Sequence, residues 1–356
     1  MHYNMKIIEN WIELSKIKKQ WKHLEISDSE CTIYQSYNWT KNYCKFLISN
    51  KKAYIVTFFL ENVLIGIFPL QIRKFRNIEI YEFMGSCGID YLMPLVIDSY
   101  KEIVYTLFCK WLETQHPNKV FVFEDIPNTH SFSKHLHEYR YNYCIKEYSD
   151  FSPYYFACLP NDWDSYKNGL SKRMQHDLEY DRRYINRKLN IEFLKLDYKY
   201  IDEHINLNIS RMHSKNLKSP FDEESACMFW KEFYYDEFMS GRLDFDAIVA
   251  DSKIVSSILS INVGKIKFIT NLNINIEYAK LSPGNVLLGH IFEESIYNKY
   301  EVLDFGRGSD SYKYRFGAIE CFNSRFVICT NIKNHNLYCS YIFYLYKKIG
   351  YYLSTN

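Results

Sequence analysis

The stretch VLDFGRGSDSYKYRFGA, Val302 to Ala318, sets acids, bases and glycines directly behind a run that reads as a β-strand. A surface loop would tolerate them, whereas a binding site would need them. Asp304 falls at the C-terminal end of that strand, where open α/β sheets usually meet their ligands. Gly306 and Gly308 flank Arg307, so the backbone there can turn sharply and free an N–H. After Asp310, Tyr312, Lys313 and Arg315 follow on what should be a short helix. The two cations suit phosphate groups, Arg315 through a two-pronged contact. A salt bridge to Asp304 or Asp310 is the competing reading for either of them.

A second stretch, KLSPGNVLLGHIFEESI, combines stop and start signals at Ser282-Pro283-Gly284. Serine can cap a helix, proline fixes φ at its first turn, and glycine lets a phosphate approach the backbone closely. The first turn is expected to present the N–H groups of Gly284, Asn285, Val286 and Leu287 to an anion, aided by the helix dipole. His213, in ISRMHSKNLKSP, is a candidate base because histidine titrates near neutrality. His130, His135 and His137 lack the i, i+4 spacing of a helical metal pair, and no metal is expected.

Two copies of one plan would position these residues. AYIVTFFL, a polar turn at Glu61-Asn62, VLIGIFPLQIR and NIEIYEFMG precede a helical segment from Lys101 and the strand KVFVFED. LDFDAIVA, a turn at Asp251-Ser252, KIVSSILSINV and KIKFITNLN likewise precede a helix from Gly284 and the strand EVLDF. The reading is an α/β fold of two units, residues 1–152 and 153–356, the boundary marked by Pro153 and Pro160. The first copy has no Pro-Gly at its helix start. Asp90-Tyr91, after its third strand, suits a sugar hydroxyl or an amine. Between the copies, Leu170, Met174, Leu178, Ile185 and Leu189 make one apolar helix face, opposite Lys172, Arg173, Arg182, Arg183 and Arg187.

A chain of 356 residues, 47% hydrophobic, with a formal charge of +2 offers no general attraction for nucleic acid or anionic membrane. The ten cysteines contain no CxxC pair, which fits reduced thiols in the cytoplasm rather than a zinc ribbon or disulfides. Neither a secretory peptide nor a spanning segment is expected. The aromatic tail YCSYIFYLYKKIGYY reads as a final core element, with membrane-surface contact as the alternative.

The run YAKLSPGNVLLGHIFEESIYNKYEVLDFGRGSDSYKYRFGA, with GSCGIDYLMPLV, FEDIP and SKRMQHDLEYDRRY upstream, resembles the tandem GNAT acetyltransferases of the cellulose-biosynthesis type. Their architecture is similar to that of the Fem-type peptidoglycan transferases. The resemblance implies that each unit is a mixed, mostly antiparallel sheet flanked by helices. It implies acyl transfer from acyl-CoA, as acetyl-CoA or a longer thioester, to an amine. Residues 153–356 would be the catalytic unit, gripping the pyrophosphate at Ser282 to Leu287, and residues 1–152 a degenerate acceptor side. Asp304 would take or orient the ammonium proton, Tyr312 or Tyr314 would protonate the departing thiolate, and Asp90, Tyr91, Arg307, Asp310, Lys313 and Arg315 would hold substrate. The leading expectation is N-acylation of a nucleotide-linked amino sugar for surface polysaccharide such as O-antigen or capsule. The alternatives are an aminoacyl-tRNA-dependent Fem-type transferase and a non-catalytic nucleotide-sugar-binding regulator. No DNA partner is expected, and the lack of overall basic charge disfavours tRNA.

Overall fold

The β-branched and aromatic runs form strands where expected. In the computed structural model, which describes residues 2–48, 51–85, 89–139, 145–329, 333, 336 and 337, two units separate: Met1–Ser152 with Phe322–Asn356, and Pro153–Cys321. In chain order the first part of the chain forms β1 (Tyr3–Ile8), α1 (Trp11–Lys16), α2 (Lys18–Ser27), α3 (Tyr37–Phe46), β2 (Lys52–Leu60), β3 (Val63–Phe75), β4 (Ile78–Phe83), β5 (Leu95–Val96), α4 (Lys101–Glu113), β6 (Lys119–Pro127) and α5 (Ser131–Tyr139). The remainder forms β7 (Ile145–Cys158), α6 (Trp163–Gly169), α7 (Lys172–Lys188), β8 (Ile191–Lys195), α8 (Ile201–His213), α9 (Glu224–Met239), β9 (Leu243–Ala250), β10 (Lys253–Val263), β11 (Ile266–Ile274), α10 (Pro283–Tyr297), β12 (Val302–Arg307), α11 (Ser311–Arg315) and β13 (Ile319–Cys329).

The sheet of the first unit runs β1-β2-β3-β4-β6-β13. Every pairing along it is antiparallel except β4 with β6, which are joined through α4 and align Glu79 with Lys119. Aromatic rings fill one face, with Phe68 stacked on Phe108 at 3.7 Å between centroids and Phe83, Tyr105, Phe123 and Phe132 around them. The second unit repeats the plan in the order β7-β12-β11-β10-β9-β8, again antiparallel except where α10 joins β11 to a parallel β12. The β2–β3 and β9–β10 hairpins each turn in two residues, with Glu61 in one and Asp251 and Ser252 in the other held at positive φ.

One boundary differs from the sequence expectation. The chain from Phe322 onward belongs with the first unit, because Asn323–Cys329 of β13 pairs antiparallel with β6. Helix α7 matches its predicted amphipathic pattern: Ser171 accepts from the Met174 N–H at 3.2 Å, and Met174 and Ile185 are buried. Leu178 packs onto α10 at Gly289, where a Cβ would stand 2.9 Å from its methyl. No described helix is long and apolar enough to cross a membrane. The aromatic tail from Tyr338 and residues 86–88 of GSCGIDYLMPLV lie outside the described residues.

Candidate active site

The site begins with strands that part. β12 pairs with β11 only at Val302, Leu303 and Asp304, opposite Ile266, Lys267 and Phe268, yet β11 runs on to Ile274 and β12 to Arg307. From Ile269 onward the edge of β11 that faced β12 is open. The N–H of Asn275 donates to Val255 at 2.9 Å, so alternation along the antiparallel ladder turns the N–H and C=O of Leu272 and Ile274 to that open edge. An unpaired stretch of strand can pair with an extended ligand.

Helix α10 starts beside this opening, but not as the sequence suggested. Ser282 lies in the left-handed region at φ 52° and ψ 40°, and its side chain makes no cap bond. Its carbonyl instead accepts the N–H groups of Asn285 at 3.0 Å and Val286 at 3.2 Å. Val286 and Leu287 sit in the core, so neither offers an amide to a ligand. Of the four predicted donors, half-buried Gly284 is left as the candidate: at the second helical position it has no carbonyl behind it in the helix. Gly284 also serves packing, since a Cβ there would lie 3.1 Å from Ile274 and 3.3 Å from Leu272.

Ser282, Gly284, Asn285 and Tyr312 come together around a cleft of about 190 Å³ floored by Leu272 and Ile274. Asn285 reaches Asp181 through its carboxamide at 3.4 Å, and burial raises that carboxyl's pKa. Tyr312 packs edge-on against Phe305, and its hydroxyl, chiefly through burial, is pushed up to about 12. It therefore stays protonated at neutral pH. The fifth wall is Arg211, near the end of α8, which the sequence reading missed. Burial lowers its pKa, and its Nε is buried without a hydrogen-bond partner among the described residues. The signal was present: His204, Asn208 and Arg211 recur at i, i+4 and i+7 on a helix that reads as merely polar.

The remaining predicted residues divide by environment. Asp304 is buried and accepts the Gly306 N–H at 2.7 Å beside a bulge in the β12–β7 ladder. Gly306 and Gly308, at φ 59° and 95°, turn the chain around Arg307. Lys313 is not available to phosphate: at 2% exposure its ammonium donates to the carbonyls of Phe305, Gly306 and Arg307 and lies over the Tyr155 ring. Arg315 is engaged by Asp177 at 3.1 Å, and Asp310 stands exposed at the N-terminus of α11 without a side-chain cap bond. His213 is an exposed residue paired with Asp222 at 2.9 Å, and it does not line the cleft. In the first unit, Asp90 accepts from the Tyr34 hydroxyl at 2.5 Å. Tyr91 is buried, its carbonyl taken by Gln35 at 3.0 Å.

Residues 172–314 match the family model described as an acetyltransferase (GNAT) domain, the segment that contains the parted strands, the start of α10 and Tyr312. No curated protein matches the chain. Among solved structures, FemX aligns over 93% of this chain and 99% of its own at 9% identity with a TM-score of 0.67. A conserved protein from Bacteroides thetaiotaomicron aligns over 91% and 100% at 10% identity and 0.55. L-PGS from Bacillus licheniformis aligns over 93% and 96% at 7% identity and 0.54. The chain thus has an α/β fold of two units in tandem, each a mixed, mostly antiparallel sheet flanked by helices, and the second unit contains the stretch that matches the GNAT domain.

Proposed function

We propose that the protein is an N-acyltransferase that takes an acyl group from acyl-CoA and places it on the amine of a nucleotide-linked amino sugar for surface polysaccharide. The observation that carries this reading is the single cleft formed by the open edge of β11, the start of α10, Arg211 and Tyr312. The Arg211 guanidinium, which lines the cleft, and the Gly284 amide suit a pyrophosphate, and the outward N–H and C=O of Leu272 and Ile274 suit an extended amide-bearing arm. Acyl-CoA supplies a thioester whose carbonyl an amine can attack. Asp304 takes one proton from the bound ammonium so that the free amine attacks the carbonyl; as the C–S bond breaks, Tyr312, protonated at its raised pKa, donates a proton to the departing sulfur and regains one from the nitrogen as it becomes the amide. The Gly306-Arg307-Gly308 turn orients the end of β12 that carries Asp304. The amino-sugar acceptor rests on the resemblance to cellulose-biosynthesis-type acetyltransferases.

The test is release of free thiol from acetyl-CoA and longer acyl-CoAs with a panel of UDP-linked amino sugars. No release with any pair of donor and acceptor refutes the reading. A Fem-type transferase is the second reading, favoured by the exposed face of α7, where Tyr180 and Tyr184 stack at 5.7 Å among Arg183 and Arg187. Salt-sensitive binding of tRNA that coenzyme A fails to displace would select it.

A further inference from the structure

On the α8 side of the opening, a chain of buried polar groups ends at Asn271. Its direction is fixed by one anchor: the Asn273 Nδ2 donates to the backbone carbonyl of His204 at 3.1 Å, and a carbonyl can only accept. The Asn273 Oδ1 is therefore the atom that faces Asn208, whose Nδ2 donates to it at 2.9 Å. The Asn208 Oδ1 takes the Ser219 hydroxyl at 2.8 Å. Both nitrogens converge on the Oδ1 of Asn271, from Asn273 at 2.7 Å and from Asn208 at 3.2 Å. The His204 ring closes the network, with Nε2 against Asn273 at 3.0 Å and Nδ1 against Ser257 at 2.8 Å. Burial holds that imidazole down at about 3, the Asn271 side chain working the other way, so the ring is neutral.

With its oxygen used twice, Asn271 turns its Nδ2 away from the network, and that nitrogen makes no hydrogen bond within the described residues. His204 and Asn273 are fully buried, Asn208 nearly so, and Asn271 is only half-buried. Burying so many carboxamides is costly unless each is satisfied, and here the satisfied ones all serve to aim the one that is not. The registers add a direction. Asn271 lies on the face of β11 opposite Leu272 and Ile274, and on the same face as Phe268 and its parallel partner Asp304. Leu272 and Ile274 floor the cleft at the start of α10, so an amine attacking a thioester along the open edge comes from the face of Asn271 and Asp304.

We propose that Asn271 positions the acyl-accepting substrate by donating from Nδ2 to an oxygen acceptor, a hydroxyl or carbonyl near the reacting amine, and that Asn208, Asn273 and His204 fix its aim. The proposal rests on the acyl-transfer reading. Asn271→Asp tests it, because the carboxylate keeps an oxygen for Asn208 and Asn273 and replaces the outward donors with an acceptor. With UDP-linked amino sugars the KM for the acceptor should rise at least tenfold, while the KM for acetyl-CoA stays within twofold and Tm within a few degrees. Asn208→Ser, which loosens the aim while leaving Asn271 in place, should raise the acceptor KM by a smaller factor. An unchanged acceptor KM in Asn271→Asp, or an equal rise for donor and acceptor, overturns the proposal.

If the wild-type protein acylates none of the panel, the acyl-transfer reading fails on its own and Asn271 is judged by nitrogen-15 NMR. Its side-chain amide, assigned by its loss in Asn271→Asp, should exchange rapidly with water while those of Asn208 and Asn273 are protected, and should shift on addition of UDP-glucosamine. A protected Asn271 amide, or one that the sugar nucleotide leaves unmoved, also overturns the proposal.

Discussion

Replacing Arg211 by methionine keeps a stem of similar length and removes a cation that lines the cleft and whose buried Nε has no hydrogen-bond partner among the described residues. A charge-assisted hydrogen bond to phosphate contributes about 1.5–3 kcal/mol, so Kd for coenzyme A should rise roughly 10- to 150-fold. The effect on stability runs the other way. Burial lowers the Arg211 pKa, which means that the folded state disfavours its charge, and Arg211→Met discards that unfavourable term without orphaning a partner of Nε. Tm should hold or rise slightly. Isothermal titration with coenzyme A at two ionic strengths, beside thermal melts, measures both quantities, and the loss of affinity should shrink as salt rises. An unchanged Kd would place the pyrophosphate elsewhere, and a Tm lower by many degrees would show that Arg211 is a structural residue.

Asp304→Asn keeps an oxygen for the Gly306 N–H, so it should leave Tm nearly unchanged while kcat falls about 100- to 10,000-fold; a normal kcat in the folded variant excludes Asp304 as the base. Lys313→Met strips three strand-end carbonyls of their donor and should cost about 2–4 kcal/mol in chemical denaturation. A Lys313→Met protein that keeps its stability but loses donor affinity would restore the phosphate role expected from sequence. Because His204 is held neutral well below its unfolded pKa, the unfolded chain binds the extra proton first as pH falls. From about pH 6.5 down toward 3 this group alone should remove stability at about 1.4 kcal/mol per pH unit. Melts of His204→Gln across that range should show a shallower acid limb, and an identical limb refutes the assignment.

The doubled strand-helix-strand plan was legible because strand runs, two-residue turns and an intervening helical period are local signals that the fold leaves intact. Pro283 and Gly284 likewise announced the start of α10. The donors at that start were not legible, because they depend on Ser282 adopting a left-handed backbone and giving its carbonyl to Asn285 and Val286. Lys313 read as a free cation because nothing in the sequence shows that the chain turns back to lay three carbonyls around it. The Asn271 network joins α8 to strands some sixty residues further along, and polar residues at helical spacing look like a solvated face until that strand is placed under them.

The return of the chain to its first unit has a consequence for synthesis. Pro153–Cys321 is contiguous and has every strand of its own sheet once Cys321 has left the ribosome. The first unit does not: β6 keeps a bare edge until Asn323–Cys329 arrives, after the whole of the second unit has been made. The segment synthesised first is therefore the later to be finished, and for the length of a domain's translation it carries an unpaired strand. A fragment ending near Ser152 inherits that edge permanently, and one beginning at Pro153 carries a strand with no sheet to join. Cutting between the copies, where the sequence reads as a natural boundary, yields a first half prone to edge-to-edge association rather than a small soluble domain.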